Sequence, residues 1–463
     1  MSAPAEDRFE ASYTAPVAAP AEPPAERELL ARATPAEAFA LHGCVLTPER
    51  RIDDGYVVLG SGSRISAVAD SRPADVRIHE TNGVILPGLI DLHGHPEFNV
   101  FAAWEPPQAF INRYQWRRSE LYHTLVRDPE NKLLKELSPK VQLRYAEIRA
   151  LVGGVTAIQG TGGQASTYRE ESLVRNVDKW IFGGQVGRSM IDLPSGSRGA
   201  DDLTSILKGI GAGEVKAFYI HLAEGQASNP ESQGELQQLV DLHALTSSTV
   251  VIHGTALTRA QLGDLKDARA KLVWSPQSNL RLYGETTRAD DALDIGLPVA
   301  LGADWLPSGS TSLLAEMTVA RHVLESRNHP ITAEAVVKMV TRDAATIAGL
   351  GDKLGLLEAD RAADVVVLER RHEDPWENVL DADPSWVELV MIDGDLAYGR
   401  EDWMTDLVAA DHRDHLERLF AWGKPMLLDT SYAVHPGADP PPTLAQLRAE
   451  LIAKYPEVGP IFA

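Results

Sequence analysis

The sequence predicts an α/β chain, a (β/α)8 barrel with a small β-sandwich built from the N- and C-terminal flanks. Three observations predict it. Through the middle of the chain, short apolar runs ending in polar residues alternate with helical stretches, the texture of parallel strand–helix units. Both flanks carry alternating segments punctuated by Gly, Asp and Ser turns. A length of 463 residues accommodates one barrel of roughly 250 residues with something attached.

Residues 1–37 are Ala, Pro and Glu with few large apolar side chains, so little surface is available to offset ordering entropy and a disordered tail is expected. Residues 38–85 carry AFALHGCVL, DGYVVLG and RISAVAD, and residues 355–400 carry ADVVVLERR, WVELVMIDG and DLAYG. The two β-rich pieces are expected to pair into one composite sandwich. Between them, residues 86–354 form the barrel, with strand runs in LPGLIDLHGH, GVTAIQG, AFYIHLAEG, TVVIHG, KLVWSPQSN and PVALGAD. Two further strands are expected near Leu173–Val177 and Val186–Ile191. In PKVQLRYAEIRALVGG, Val141, Tyr145, Ile148 and Val152 share one helical face, and Gly153 with Gly154 stops the helix. Residues 401–463 read as a helical extension with a Pro-rich stretch, HPGADPPPTLAQL.

Composition narrows the function. With 44 basic and 66 acidic residues the formal charge is −22, a field that repels phosphate backbones and anionic lipid and argues against nucleic acid and membrane partners. Cys44 is the lone cysteine, so no intrachain disulfide and no thiolate metal cluster can form. There is no apolar run of about 18 residues, and MSAPAEDRFEASYTAPVAAP has neither the positive nor the apolar region of a signal peptide. A cytoplasmic protein acting on a small molecule is expected.

Chemistry concentrates at the strand ends, where a barrel places catalysis. The first strand run ends His93-Gly94-His95, and in extended chain positions i and i+2 face the same way. The fifth ends at His221, with Glu224 three residues on; the sixth ends at His253; the eighth ends at Asp304. Any one of these has a plainer reading, a hydrogen-bonded rim histidine or a helix-capping aspartate. Their co-occurrence, each directly after its own apolar run, argues against chance. Imidazole and carboxylate suit Zn2+ or Fe2+, and three His plus one Asp with an open position make a catalytic ligand set.

These motifs resemble the amidohydrolase superfamily, in its mononuclear branch of cytosine and guanine deaminases, triazine hydrolases and imidazolonepropionase. The resemblance spans roughly residues 38–400 and rests on LPGLIDLHGH ending at His95, GVTA at 154–157, HLAE at 221–224, IHG at 252–254, SPQSN at 275–279 and LGAD at 301–304. TRDAATIAGLGDKLGLLEADRAADVVVL resembles the segment that returns such chains to the sandwich. By this resemblance His93, His95, His221 and Asp304 hold one divalent ion, zinc with iron as the alternative, and His253 sits close by. The resemblance implies a metal-dependent hydrolase of non-peptide C–N bonds, in which metal-bound hydroxide attacks an sp2 carbon of a small cyclic or heterocyclic substrate. Asp304 or Glu224 takes the proton of the nucleophile, His253 donates to the developing oxyanion, and Glu224 carries a proton to the leaving nitrogen. Binuclear relatives bridge two metals with a lysine ending the fourth strand; Lys179 and Lys216 do not stand there, so one metal is expected. Many deaminases follow the sixth-strand His with Cys, where this chain has Gly254. Deamination and the opening of a cyclic amide or amidine both protonate a nitrogen, so both remain open. A lactone or ester hydrolase on the same barrel and a non-catalytic scaffold are the alternatives. A homodimer is implied by the resemblance alone.

The loop after the first strand, Pro96 to about Ser138, is long and aromatic: Phe98, Phe101, Trp104, Phe110, Tyr114, Trp116 and Tyr122. Such a loop serves as a lid or specificity element. Its rings stack on a flat substrate or pack the loop onto the barrel. Trp104, Tyr114, Trp116, Asn279 and Trp305 are the candidate substrate contacts. Arg113, Arg117 and Arg118 read either as a carboxylate site or as solvated surface.

Overall fold

The computed structural model describes residues 33–60, 62–160, 172–414, 416–431 and 441–462. Residues 1–32 of the expected tail lie outside the described residues, but its end does not behave as a tail. Ala33 is buried and donates its N–H to Asp429 Oδ2 at 2.9 Å, and Ala36 N–H donates to Leu407 O at 2.9 Å. Distant partners satisfy this backbone, so the boundary at 37 is corrected: the residues from Ala33 onward belong to the folded part.

Four strands come first: β1 (Phe39–Thr47), β2 (Arg50–Leu59), β3 (Ile65–Ala69) and β4 (Arg77–Pro87). Eight parallel strands come next: β5 (Leu89–Asp91), β6 (Val155–Ile158), β7 (Arg175–Asn176), β8 (Gly187–Met190), β9 (Ala217–Leu222), β10 (Thr249–His253), β11 (Lys271–Trp274) and β12 (Val299–Leu301). They pair in chain order, β5 to β7 in one sheet and β8 to β12 in another. A parallel bridge between Gly94 and Asp304, with Asp304 N–H donating to His93 O at 2.8 Å, joins the end of β5 to the end of β12. VTAI, AFYIHL, TVVIH and VAL are buried at every position, as parallel strands covered on both faces require. The two faintly marked strands are β7 and β8, and β7 shrinks to a single residue pair.

The predicted helix is the helix Pro139–Val152, with Val141, Tyr145, Ile148 and Val152 all buried. Gly154, at φ +81°, takes the left-handed turn into β6 that a side chain would resist.

The chain closes with β13 (Val365–Leu368), β14 (Val387–Ile392), β15 (Asp395–Arg400), β16 (Leu416–Ala421) and β17 (Lys424–Asp429). Both flanks build one nine-stranded sheet, β16-β17-β15-β14-β13-β4-β1-β2-β3. They meet where β13 runs antiparallel to β4, Val365 opposite Pro87. Leu41, Val57 and Ile85 from the first flank share one apolar core with Val365, Leu389 and Met391 from the second.

The region after Arg400 corrects the helical expectation. Helices Glu401–Leu407 and Leu444–Lys454 are present, but β16 and β17 form a hairpin that extends the sheet beyond β15. Its two-residue turn, Trp422-Gly423, has φ of +50° and +79°, the positive pair of a type I′ hairpin turn. The free edge of β15 supplies the partner that makes strands of LERLFA and KPMLLD. The final helix buries Leu447 and Leu451, Tyr455 meets the Phe101 ring at 5.2 Å, and Tyr145 donates its hydroxyl to Gly459 O at 2.9 Å. The C-terminus therefore braces the long first loop. Among the described residues no helix is long and apolar enough to cross a membrane.

Candidate active site

The ends of β5, β9, β10 and β12 converge. Asp91, closing β5, accepts from the N–H of His93 at 3.2 Å and of Ala303 at 3.1 Å, which locks the β5 and β12 ends together. Burial lifts its carboxyl to a pKa of about 7. In the β9–β10 register Ile252 faces His221 and His253 faces Leu222, so the two histidines leave adjacent strands one step apart. His253 and Asp304 sit at φ +67° and +60°, and Ala223, between His221 and Glu224, at +52°. Such left-handed conformations in non-glycine residues cost of order 1–3 kcal/mol each and persist only where the surroundings over-determine them.

The result is a compact buried centre. The His93 ring lies 4.9 Å from His95, 4.8 Å from His221 and 4.8 Å from His253, centroid to centroid. Asp304 Oδ1 is 3.1 Å from His93 Nε2 and 3.4 Å from His95 Nε2. One ligand atom each from His93, His95 and His221 fall within 4.8 Å of one another, as do those of His93, His253 and Asp304. Burial, reinforced by neighbouring histidines, holds His95 and His221 well below the usual imidazole range, in the neutral form that offers a lone pair. Burial opposes charge on Asp304, but His93, His95 and His253 outweigh it and keep the carboxyl below its ordinary value.

The residues fit a metal. Both ring nitrogens of His221 are buried without a hydrogen-bond partner, which costs about 1–3 kcal/mol for each unsatisfied group. A divalent cation held by His93, His95, His221 and Asp304 would take up one of those two nitrogens and would match an N3O donor set. The fourth strand ends Met190-Ile191-Asp192, with no lysine to bridge a second ion.

Glu224 and His253 flank the centre, with His253 Nε2 3.7 Å from Glu224 Oε2. Tyr283 donates its hydroxyl to Glu224 Oε1 at 2.5 Å and accepts from Trp116 Nε1 at 2.9 Å. Burial and the Glu224 charge push the Tyr283 phenol well above its usual range, so it stays a donor.

Of the expected substrate contacts, Trp305 comes nearest, its ring 6.2 Å from His95. Trp104 packs edge-on and Trp116 at a tilt behind it, at 5.6 and 5.3 Å. Two others make hydrogen bonds to protein. Asn279 sits 3.0 Å from His253 Nδ1, with its Oδ1 accepting from Thr286 at 3.2 Å, so its amide bonds protein. Tyr114 turns its hydroxyl to Glu235 at 2.9 Å and accepts from Arg113 at 3.0 Å. Arg113 and Arg117 are not solvated: Arg113 is buried between Asp192 and Glu235 at 2.7 and 2.9 Å, and Arg117 meets Asp192 at 2.7 Å. Glu235 also accepts the N–H of Ala223 at 2.6 Å, which holds the turn between His221 and Glu224. Tyr283 escaped the sequence reading although it stands four residues after Asn279 in one helix, where i and i+4 share a face.

Residues 201–397 match the model of the amidohydrolase family. The 5-methylthioadenosine/S-adenosylhomocysteine deaminase of Teredinibacter turnerae is 24% identical over 365 residues, covering 71% of this chain and 83% of that protein. The crystal structure of an adenosine deaminase from Xanthomonas campestris with bound zinc superposes with a TM-score of 0.63 at 16% identity, over 78% of this chain and 92% of its own. E. coli guanine deaminase gives 0.62 at 17% identity, over 78% and 100%. At these identities the structural likeness shows a shared fold.

Proposed function

We propose that this chain, which carries an amidohydrolase family domain over residues 201–397, is a mononuclear metal-dependent hydrolase of C–N bonds in small heterocycles, built on a (β/α)8 barrel with a composite β-sandwich. One observation carries the reading: His93, His95, His221 and Asp304 converge in a buried centre with Glu224 and His253 at its side. Those four side chains would hold one zinc ion, with ferrous iron the alternative. The ion would supply hydroxide at neutral pH and polarise the attacked carbon.

The chain's own groups do the rest. Asp304, kept ionised, is the base beside the nucleophile. Glu224 carries a proton to the leaving nitrogen, and His253 donates to the oxygen that develops charge. Trp305, backed by Trp104 and Trp116, walls the site with flat apolar surface suited to a heterocycle. The deaminase relatives favour release of ammonia over ring opening. A lone buried cysteine suits a reducing cytoplasm.

The test is metal content per chain, followed by an ammonia-release screen with 5-methylthioadenosine, adenosine, guanine and an aminotriazine. About one equivalent of metal, lost together with turnover on chelation, supports the reading. A protein that takes up no metal refutes it, and turnover without ammonia moves the reaction to ring opening.

A further inference from the structure

Two chains of hydrogen bonds enter the centre, and both begin at an indole. Trp274 Nε1 donates to Thr286 Oγ1 at 2.8 Å, Thr286 donates to Asn279 Oδ1 at 3.2 Å, and Asn279 Nδ2 meets His253 Nδ1 at 3.0 Å. Trp116 Nε1 donates to the Tyr283 hydroxyl at 2.9 Å, which donates to Glu224 Oε1 at 2.5 Å. An indole N–H can only donate, so it fixes the direction of every later bond in its chain.

In the first chain Thr286 accepts from Trp274 and sends its own proton to Asn279 Oδ1. The other amide orientation leaves that buried hydroxyl proton without an acceptor, at about 1–3 kcal/mol. The amide NH2 therefore faces His253 Nδ1, which must be the bare nitrogen, and the ring proton lies on Nε2, the atom facing Glu224 Oε2. In the second chain Glu224 Oε1 is occupied as an acceptor, and Oε2 is the oxygen that faces His253 Nε2.

We propose that Asn279 and Tyr283, one turn apart on the helix Pro276–Tyr283, are positioning residues that assign the working atoms of the site: His253 acts as an Nε2–H donor and not as a metal ligand, and Glu224 exchanges its proton at Oε2. The catalytic meaning rests on the hydrolase reading. The tautomer does not.

Full-length protein labelled with 15N-histidine and loaded with one equivalent of zinc answers the question by long-range 1H–15N NMR. The His253 ring is identified by its loss in His253→Gln. The expected spectrum has a bare Nδ1 and a protonated Nε2. Asn279→Asp puts an acceptor against Nδ1 and should move the proton there, and Thr286→Val should blur the preference while Thr286→Ser restores it. With 5-methylthioadenosine as probe, Asn279→Asp should lower kcat by about 10²–10⁴-fold, the range for a misplaced acid–base group, with KM little changed. Tyr283→Phe should lower kcat roughly 10- to 100-fold, one charge-assisted hydrogen bond, without altering the His253 spectrum. A bare or zinc-shifted Nε2 in the wild type overturns the proposal, as does an Asn279→Asp ring that keeps its tautomer. If none of the heterocycles is hydrolysed, the hydrolase reading fails while the NMR result still decides the tautomer.

Discussion

His253 and Asp304 are held in left-handed backbone conformations at the ends of their strands, which turns both side chains back toward the β5 histidines. The roles they and their neighbours take are separable by substitution. His93→Ala should lose bound metal and turnover together, measured by metal analysis and rate. Glu224→Gln should keep the metal and lose turnover by about 10²–10⁴-fold; a wild-type rate would remove Glu224 from the proton path. Glu316, on the neighbouring helix, is a buried carboxyl that accepts from Gln277 N–H at 3.1 Å and from Ser310. Burial raises its pKa from 4.5 to about 8. Because the folded state holds this proton longer than the unfolded state does, its contribution is full below pH 4.5 and lost as pH climbs toward 8. Glu316→Gln should therefore flatten the fall of Tm between pH 5 and pH 8, read by thermal melts across that range.

At the scale of elements, the first loop is a folded layer. Trp104, Trp116 and Tyr122 are buried against one another and Trp305, so most of its aromatic surface packs protein, while Phe98 and Trp305 border His95 at 6.5 and 6.2 Å. Short helices within it carry Arg113 and Arg117 into contact with Asp192, beyond β8, and Glu235, after β9. Arg113→Ala leaves Glu235 buried without its cation, while Asp192 keeps Arg117. Loss of one member of a buried ion pair costs about 3–5 kcal/mol, which denaturant unfolding would measure. Since Glu235 also holds Ala223 N–H, the variant should bind metal less tightly as well. Residue types alone did not distinguish this network from a solvated basic patch, because the acidic partners lie 75 to 122 residues away.

Across the whole molecule, the two ends of the chain are structural partners of the centre. Arg175 on β7 bonds both oxygens of Asp364 at 2.8 and 2.9 Å, tying the parallel strands to the composite sheet. The C-terminal helix bears on the layer that carries Phe101, through Tyr455 and the Tyr145–Gly459 bond. Leu451 is fully buried there, so Leu451→Ala should cost about 2–5 kcal/mol, visible as a lower denaturation midpoint. A loss of turnover beyond the loss of folded protein would show that the brace also holds the first loop over the site.

The sequence by itself determined the strand ends and what they carry. Apolar runs of the right length, each followed at once by His, Glu or Asp, are local signals, and a parallel sheet turns that shared position along the strand into shared position in space. Tertiary structure decided what no local signal carries. Asn279 is an amide beside a strand end in either reading, and only the placement of Trp274, Thr286 and His253 around it shows that its amide is already engaged. The hairpin after Arg400 became sheet because β15 offers an open edge, and the loop arginines became buried because carboxylates from remote segments meet them. Hydrogen-bond direction and charge pairing depend on partners far apart in the chain, so they appear only once the chain has folded.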